Sequence, residues 1–451
     1  TAAPAMPSMR LPERAAPPPA ADPAPAQSKQ YFDLKLNLHQ QLLGLINLSM
    51  LDKMKAEDIR REVGEIVRDL LSRDKVPLNS QEHAQLVTDL LDEVLGLGPI
   101  EPLLKDPSIT DILINGPNLV YVERNGRLDV SPVKFKDERH LQRILNKIVS
   151  TVGRRVDESS PLVDARLLDG SRVNAVIPPI AVDGTLVSIR KFSKTPYDLD
   201  KLVSYGALAA QMAELLAGCV ASKLSTVISG GTGSGKTTTL NALSRFIEMR
   251  ERVITIEDAA ELQLQQPHVA RMETRPQNIE GKGEVNQRDL VRNALRMRPD
   301  RIILGECRGG EAFDMLQAMN TGHEGSLTTV HANTPRDAIT RLEQMVGMAG
   351  FDIPVRSIRQ QIASAIQVVV QMQRMTDGRR RMVSVQEITG MESDTISMQE
   401  IFKFHRTGTE ADGTVTGEYR ATGIRPKFMH HLEIHGIKIS PDIFRPDRTL
   451  T

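Results

Sequence analysis

The 451-residue chain has no tryptophan, and Phe, Tyr and Trp together make up only 3% of it. Its cores must therefore be built from aliphatic side chains and the 18 methionines, within a hydrophobic share of 40% that suffices for ordinary globular domains. Only two cysteines are present, Cys219 and Cys307. Two thiols so far apart exclude a disulfide framework and a four-thiolate zinc site, and they fit a reducing compartment. Neither sign of charge is in excess, since 57 Lys plus Arg balance 57 Asp plus Glu, which argues against a general polyanion binder. No run of roughly 18 apolar residues occurs, so no membrane-inserted segment is expected. The opening residues do not read as a basic-then-apolar leader. The expectation is a neutral, soluble, cytosolic chain of two or three domains.

What is present is strongly segmented. Residues 1–30 are mostly Ala and Pro, as in Ala15-Ala16-Pro17-Pro18-Pro19-Ala20, and carry too little apolar bulk to offset ordering entropy. A disordered tail is expected there. From 31 to 98 the period is helical. Ile59, Val63, Ile66, Val67, Leu70 and Leu71 form one stripe, and Leu86, Val87, Leu90, Leu91, Val94 and Leu95 form another. Asn79 or Ser80 can cap the second helix, and Gly96-Leu97-Gly98-Pro99 ends it. From 99 to 200 the period falls to two. Val120–Arg124 runs through Asn125-Gly126 into Arg127–Val130, a strong hairpin signal, and further strands are expected at 162–167, 171–177 and 186–192. With a helix near Glu138–Val152 this predicts a small α+β domain on an antiparallel sheet. From 201 to 451 apolar strands (225–229, 253–256, 301–304, 327–330 and 368–370) alternate with helices, which predicts an α/β domain with a mainly parallel, doubly wound sheet.

The fourth of these segments carries the clearest chemistry. The β-branched strand Thr226-Val227-Ile228-Ser229 leads into Gly230-Gly231-Thr232-Gly233-Ser234-Gly235-Lys236-Thr237, a full G-x-x-x-x-G-K-[ST] motif, and a helix is predicted from Thr238. Glycines let successive N–H groups converge on a phosphate, and the helix N-terminus adds its positive dipole end. Lys236 is expected on the β- and γ-phosphates and the Thr237 hydroxyl on Mg²⁺. Gly230, Gly231, Thr232, Gly233, Ser234, Gly235, Lys236, Thr237 and Thr238 are the expected nucleotide-binding residues.

Hydrolysis needs more than a phosphate grip, because a metal must be supported and a water oriented. Two acidic clusters stand at predicted C-terminal strand ends, where open α/β sheets bind ligands. One is Glu257-Asp258-Ala259-Ala260-Glu261. The other is Gly305-Glu306, where a Glu stands in place of the usual Asp and would hold Mg²⁺ through water or polarise the nucleophile. A third cluster, Thr321-Gly322-His323-Glu324-Gly325-Ser326 followed by a strand and His331, fits no zinc spacing. His323 and His331 are instead expected as a hydrogen-bonding relay or γ-phosphate sensor.

These boxes, in this order, resemble the secretion ATPase superfamily of type II, type IV pilus and type IV secretion machines. The segments Gly153–Ser159, Asp164–Val176 and Ile189–Phe192 look like one branch of it, the CpaF/TadA ATPases of tight-adherence (Tad) pili. The resemblance spans about residues 55 to 400. It implies a PAS-like α+β domain before a RecA-like P-loop motor domain, ATP and Mg²⁺ as ligands, and a homohexameric ring. The ring would be cytoplasmic and recruited to the inner membrane by platform proteins. It also implies Glu261 as general base, Glu306 as support for Mg²⁺ and water, Glu257, His323 and His331 as box residues, and one of Arg166, Arg172 and Arg190 as a γ-phosphate ligand. Salt bridges to Asp157, Glu158 or Asp164 are the alternative for these arginines. Ala259-Ala260 departs from the Pro-containing middle usual in the acidic box, and the paired cysteines of many type II secretion ATPases are absent.

Three rival classes compete with this resemblance. A nucleic-acid motor would use Arg288, Arg292 and Arg296, with Arg298 and Arg301, as a basic surface, but aromatics for base stacking are lacking and no nucleic-acid partner is expected. Arg379–Arg381 follow Asp377-Gly378 and look like a hairpin turn between strands. A nucleotide-binding regulator would need no carboxylates at the strand tips. A small-molecule kinase would leave the preceding domains surplus.

Overall fold

A computed structural model describes residues 38, 41, 56–73, 80–94, 96–124, 126–192, 197–277 and 282–450. The Ala/Pro stretch, the Asn79 cap and Asn125 of the hairpin turn lie outside the described residues. The chain divides into two compact units. One holds the residues up to 122 with 129–167 and 173–189, and the other holds 123–128, 168–172 and 190–451.

The first unit opens with α1 (Ala56–Arg73) and α2 (Ser80–Val94). Val63, Val67, Leu70 and Leu71 on α1 share a core with Leu86 and Leu90 on α2, so the periodic stripes face one another. A 3₁₀ turn at Gly98–Ile100 leads to α3 (Glu101–Lys105), and then come β1 (Ile109–Asn115), β2 (Val120–Arg124) and β3 (Arg127–Ser131). The Asp137 carboxylate accepts from the His140 N–H and starts α4 (Glu138–Thr151). β4 (Leu162–Arg166), β5 (Arg172–Val176) and β6 (Leu186–Arg190) complete a six-stranded sheet of order β3-β2-β1-β6-β5-β4. Leu141, Ile144, Leu145 and Ile148 of α4 pack with Ile112, Val120, Val173 and Val187, so one face is dry and strands such as β6 alternate exposed and buried. The helical pair and this sheet fall in one contact unit, where the sequence divides them at 98.

The second unit continues with α5 (Leu199–Ser204), α6 (Ala210–Ala221), β7 (Thr226–Gly230), α7 (Lys236–Ser244), β8 (Val253–Glu257), β9 (Val269–Glu273) and α8 (Gln287–Ala294). β10 (Arg301–Cys307), α9 (Glu311–Asn320), β11 (Leu327–His331), α10 (Pro335–Gly347) and α11 (Val355–Ala365) follow. The chain then runs through β12 (Val368–Arg374), β13 (Arg380–Glu392), β14 (Thr395–Thr409), β15 (Val415–Ala421), α12 (Met429–Ile434) and β16 (Thr449–Leu450). These strands make one ten-stranded sheet of order β16-β15-β14-β13-β12-β7-β11-β10-β8-β9. From β9 to β12 every neighbouring pair is parallel.

Both faces of this parallel part are covered, which is why its strands read as unbroken apolar runs. Ile228, Val253, Ile303 and Val370 enter one core with α5, α6 and α7. Val227, Ile254, Ile302, Leu304 and Val369 enter the other with α8, α9, α10 and α11.

The expectation of a mainly parallel sheet needs correction. β13 to β16 add an antiparallel extension, with β12–β13, β13–β14 and β14–β15 each paired in opposite directions, so the sheet is mixed. Register shifts between Val385 and Gln386 and between Ile388 and Gly390 break the alternation of β13, and a two-residue period is hard to see in its sequence.

Candidate active site

The phosphate motif occupies the turn from β7 into α7. All five β7 residues are buried, and the strand lies between β11 and β12 near the middle of the sheet. The turn can form only with glycine at its critical points. A Cβ on Gly230 would stand 2.4 Å from Ser234 Oγ and 2.5 Å from the Met372 carbonyl oxygen, and Gly235, the cap of α7, sits at φ +95°. Ser234 is buried and its hydroxyl donates to the Gly231 carbonyl at 2.8 Å, which closes the loop on itself. Lys236 Nζ donates to the same carbonyl at 3.0 Å, so the amine curls back over the loop rather than out to solvent. Burial lowers the lysine's pKa, Glu306 opposes that shift, and the like charges of Arg190 and Arg308 add to it. Open space stands over Gly231, and Thr237 and Thr238 are half-buried in the first turn of the helix.

The acidic box begins where β8 ends. Glu257 is buried, and its Oε2 accepts from the N–H groups of Glu261 at 2.7 Å and Leu262 at 2.8 Å. Gln263 N–H donates to Asn241 Oδ1 of α7 at 2.9 Å, which fastens the same segment to the helix after the phosphate loop. Gly305 on β10 makes room for Glu257, because a Cβ there would stand 2.9 Å from Glu257 Cγ. Burial pushes the Glu257 carboxyl up to about 7 against the pull of the two backbone hydrogen bonds, and its Oε1 has no hydrogen-bond partner. Glu257 therefore shapes the turn that carries Glu261.

On the neighbouring β10, Glu306 Oε2 accepts from Arg308 Nη2 at 2.6 Å and Nε at 3.0 Å, and Arg308 Nη1 lies 3.5 Å from Asp258. Burial works against the charge on Arg308. The Glu306 hydrogen bond and charge, with Asp258 and Glu261 behind them, outweigh it and raise its pKa. Arg308 is thus within electrostatic reach of Lys236, Glu306 and Glu261. The sequence reading missed Arg308, although its position two residues beyond Glu306 at the end of a strand puts both side chains on one side. The donors present, a threonine hydroxyl and carboxylates, are the hard oxygen ligands that Mg²⁺ takes.

The two histidines separate. β11 pairs in parallel with β7, Leu327 opposite Thr226 and His331 opposite Gly230, so His331 stands beside the phosphate loop. Burial and the Lys236 charge lower its pKa, with Glu306 opposing. His323 precedes the start of β11 and lies at the other end of the strand, with its carbonyl accepting from Ser326 Oγ at 2.8 Å. A five-residue strand spans about 16 Å. The expectation that His323 joins the nucleotide site is therefore corrected. Of the arginines, Arg190 at the end of β6 and Arg172 at the start of β5 group with the second unit, and the charge of Arg190 is felt at Lys236. Arg166 ends β4 in the first unit.

Three arginines of the basic surface that a nucleic-acid motor would use are engaged by carboxylates. Arg288 and Arg292 share the Asp314 carboxylate at 2.7 and 3.0 Å. Arg301 is fully buried and held in a two-point pair by Glu251 at 2.6 and 3.0 Å.

A glycine loop between a buried strand and a helix, flanked by carboxylates and a histidine at adjacent strand tips, defines a P-loop nucleotide-binding protein. Residues 93–423 match the family described as type II/IV secretion system protein, and the chain belongs to that family. A Mycobacterium tuberculosis protein provisionally named for conjugal transfer is 40% identical over 302 residues, which is 66% of this chain and 85% of that protein. The type IV secretion system protein VirB11 of Brucella suis is 34% identical over 316 residues, 64% of this chain and 88% of its own length. The crystal structure of the Brucella suis VirB11 ATPase with sulphate aligns over 64% of this chain and 91% of that one, at 31% identity and a TM-score of 0.35.

Proposed function

We propose that the protein is an ATP hydrolase of the secretion and pilus class, working as a homohexameric ring at the cytoplasmic face of the inner membrane. Its turnover would move the platform proteins that assemble a Tad pilus. The observation that supports the hydrolase reading is that Lys236, Glu306 and His331 feel one another's charge beside the loop from Gly230 to Thr237, with Glu261 acting on Arg308 next to them. Among the described residues no helix is long and apolar enough to cross a membrane, so the proposed membrane link runs through partners.

In this reading the loop amides and Lys236 hold the β- and γ-phosphates, and Thr237 and Glu306 hold Mg²⁺. The metal, when bound, offsets charge developing on the phosphate oxygens. Glu261, tied in place by Glu257, accepts a proton from the attacking water. His331, beside Gly230, monitors the γ-phosphate, and an arginine from Arg166, Arg172 or Arg190 adds positive charge there. Phosphate release from purified full-length protein tests the assignment. Lys236→Ala is expected to lose MgATP binding. Glu261→Gln and Glu306→Gln are expected to keep binding and lose turnover by about 100-fold or more. Wild-type hydrolysis by any of the three would sink it.

A second reading, an ATPase serving conjugation or type IV secretion traffic, is favoured by the names of the relatives at 30–40% identity. Deleting the gene and scoring pili against DNA or protein export separates the two.

A further inference from the structure

The hairpin between β12 and β13 places two arginines beside the phosphate loop that neither the motif nor the family boxes assign. β12 lies next to β7, with Met372 opposite Gly230, so two residues further on the chain passes the loop itself. Arg374 and Arg380 are direct partners across the antiparallel pair. Arg380 Nε donates to the Gly233 carbonyl of the loop at 3.2 Å, and its Cγ lies 3.7 Å from where a Gly235 Cβ would be. Arg374 Nη1 lies 3.4 Å from the corresponding position on Gly233.

Two like charges directly opposite one another weaken a ladder unless something anionic joins them. Here that anion is the single carboxylate of Glu123, one of the residues 123–128 that group with this unit. Its Oε1 accepts from Arg380 Nη2 at 3.1 Å and its Oε2 from Arg374 Nη2 at 3.4 Å. Arg374 also donates to the Gly126 carbonyl. One negative charge for two guanidinium groups leaves a net positive charge beside a loop built to receive phosphate. The hairpin that presents the pair is braced, because Asp377 accepts from the N–H groups of Arg379 and Val415, each at 2.9 Å. Guanidinium forks match phosphate oxygens in shape and charge, and a polyphosphate is a stronger competitor for them than one carboxylate.

We propose that Arg374 and Arg380 are a same-chain pair that grips the phosphate chain of the nucleoside triphosphate, and that Glu123 holds the pair until the nucleotide displaces it. The inference rests on the nucleotide reading of the loop. It adds a substrate-binding element from the antiparallel edge of the parallel sheet, and it makes nucleotide arrival compete with the grip on residues 123–128.

Binding of the slowly hydrolysed analogue MgATPγS to the full-length protein tests it, with melting temperature recorded for every variant. Arg374→Ala and Arg380→Ala are each expected to weaken binding about tenfold or more, with Arg380→Lys between them and wild type. Arg379→Ala, in the exposed turn, should bind as wild type. Glu123→Gln should bind several-fold tighter, because the competing charge is gone. If Arg374→Ala and Arg380→Ala melt earlier but bind like wild type, the pair is only a brace and the proposal is overturned while the loop reading stands. If wild type itself binds no MgATPγS, the loop reading fails and takes this inference with it.

Discussion

Two buried acid–base groups show how single residues are held for different ends. Burial raises the Glu257 carboxyl to about 7 against an ordinary 4.5. A carboxyl whose folded pKa is raised stabilises the fold fully below the unfolded pKa, and that contribution is lost as pH rises to about 7. At roughly 1.4 kcal/mol per pH unit the loss is on the order of 3 kcal/mol at most. Relative to Glu257→Gln, the wild-type melting temperature is therefore expected to fall between pH 5 and 7.5, and parallel curves for the two proteins would refute the shift. Arg301 is the contrasting case. It is fully buried, pairs with Glu251 through two hydrogen bonds and also donates to the Val220 and Gly325 carbonyls. Arg301→Met strands a buried carboxylate and should cost about 3–5 kcal/mol in urea unfolding; a cost under 1 kcal/mol would mean that Glu251 finds water. In the sequence Arg301 looked like part of a basic surface, because nothing local shows that its acid partner lies fifty positions upstream. The strand-end positions of Gly230, Glu257, Glu306 and His331 were legible because each lies in a short motif that follows an apolar strand. His323 was misplaced because a strand has two ends and the motif does not say which one faces the loop.

At the level of elements, the loop depends on what passes behind it. Gly230 sits against the Met372 carbonyl of β12, a neighbour supplied from far along the chain. Gly230→Ala must move either Ser234 or that backbone, so it should lower the melting temperature and weaken nucleotide binding together. A variant that melts and binds like wild type would show that the crowding is relieved cheaply. The five strands expected between 225 and 370 all appear, because strands buried on both faces leave a continuous apolar signal. The Asp377-Gly378 turn into β13 was legible, but β9 and the strands from β14 onward were not. β9 is only half-buried, and the β13–β14 pairing carries two register shifts that scramble the alternation. The helix stripes of α1 and α2 were legible for the opposite reason, since each buries one face against the other.

For the whole molecule, the proposed ring gives a measurement independent of the chemistry. Mass photometry of the full-length protein with MgATPγS is expected to show six copies. A persistent monomer at micromolar concentration would remove the ring while leaving the hydrolase assignment intact. The boundary between the two contact units was not legible, because residues 123–128 and 168–172 group with the second unit although their neighbours in sequence belong to the first. Hairpin tips and turns such as these carry polar, turn-forming residues whatever they pack on, so composition gives no sign of their allegiance.

The central place of β7 has a consequence for synthesis. Thr226 is flanked by Leu327 on one side and Val368 on the other, so the strand beneath the loop is made long before either neighbour exists. Until the ribosome has passed residue 374 the nascent chain carries the whole signature without a working cradle, and a strand that is buried at every residue in the fold is bare. Premature termination in that interval would release a product that chaperones must shield and that no nucleotide can rescue.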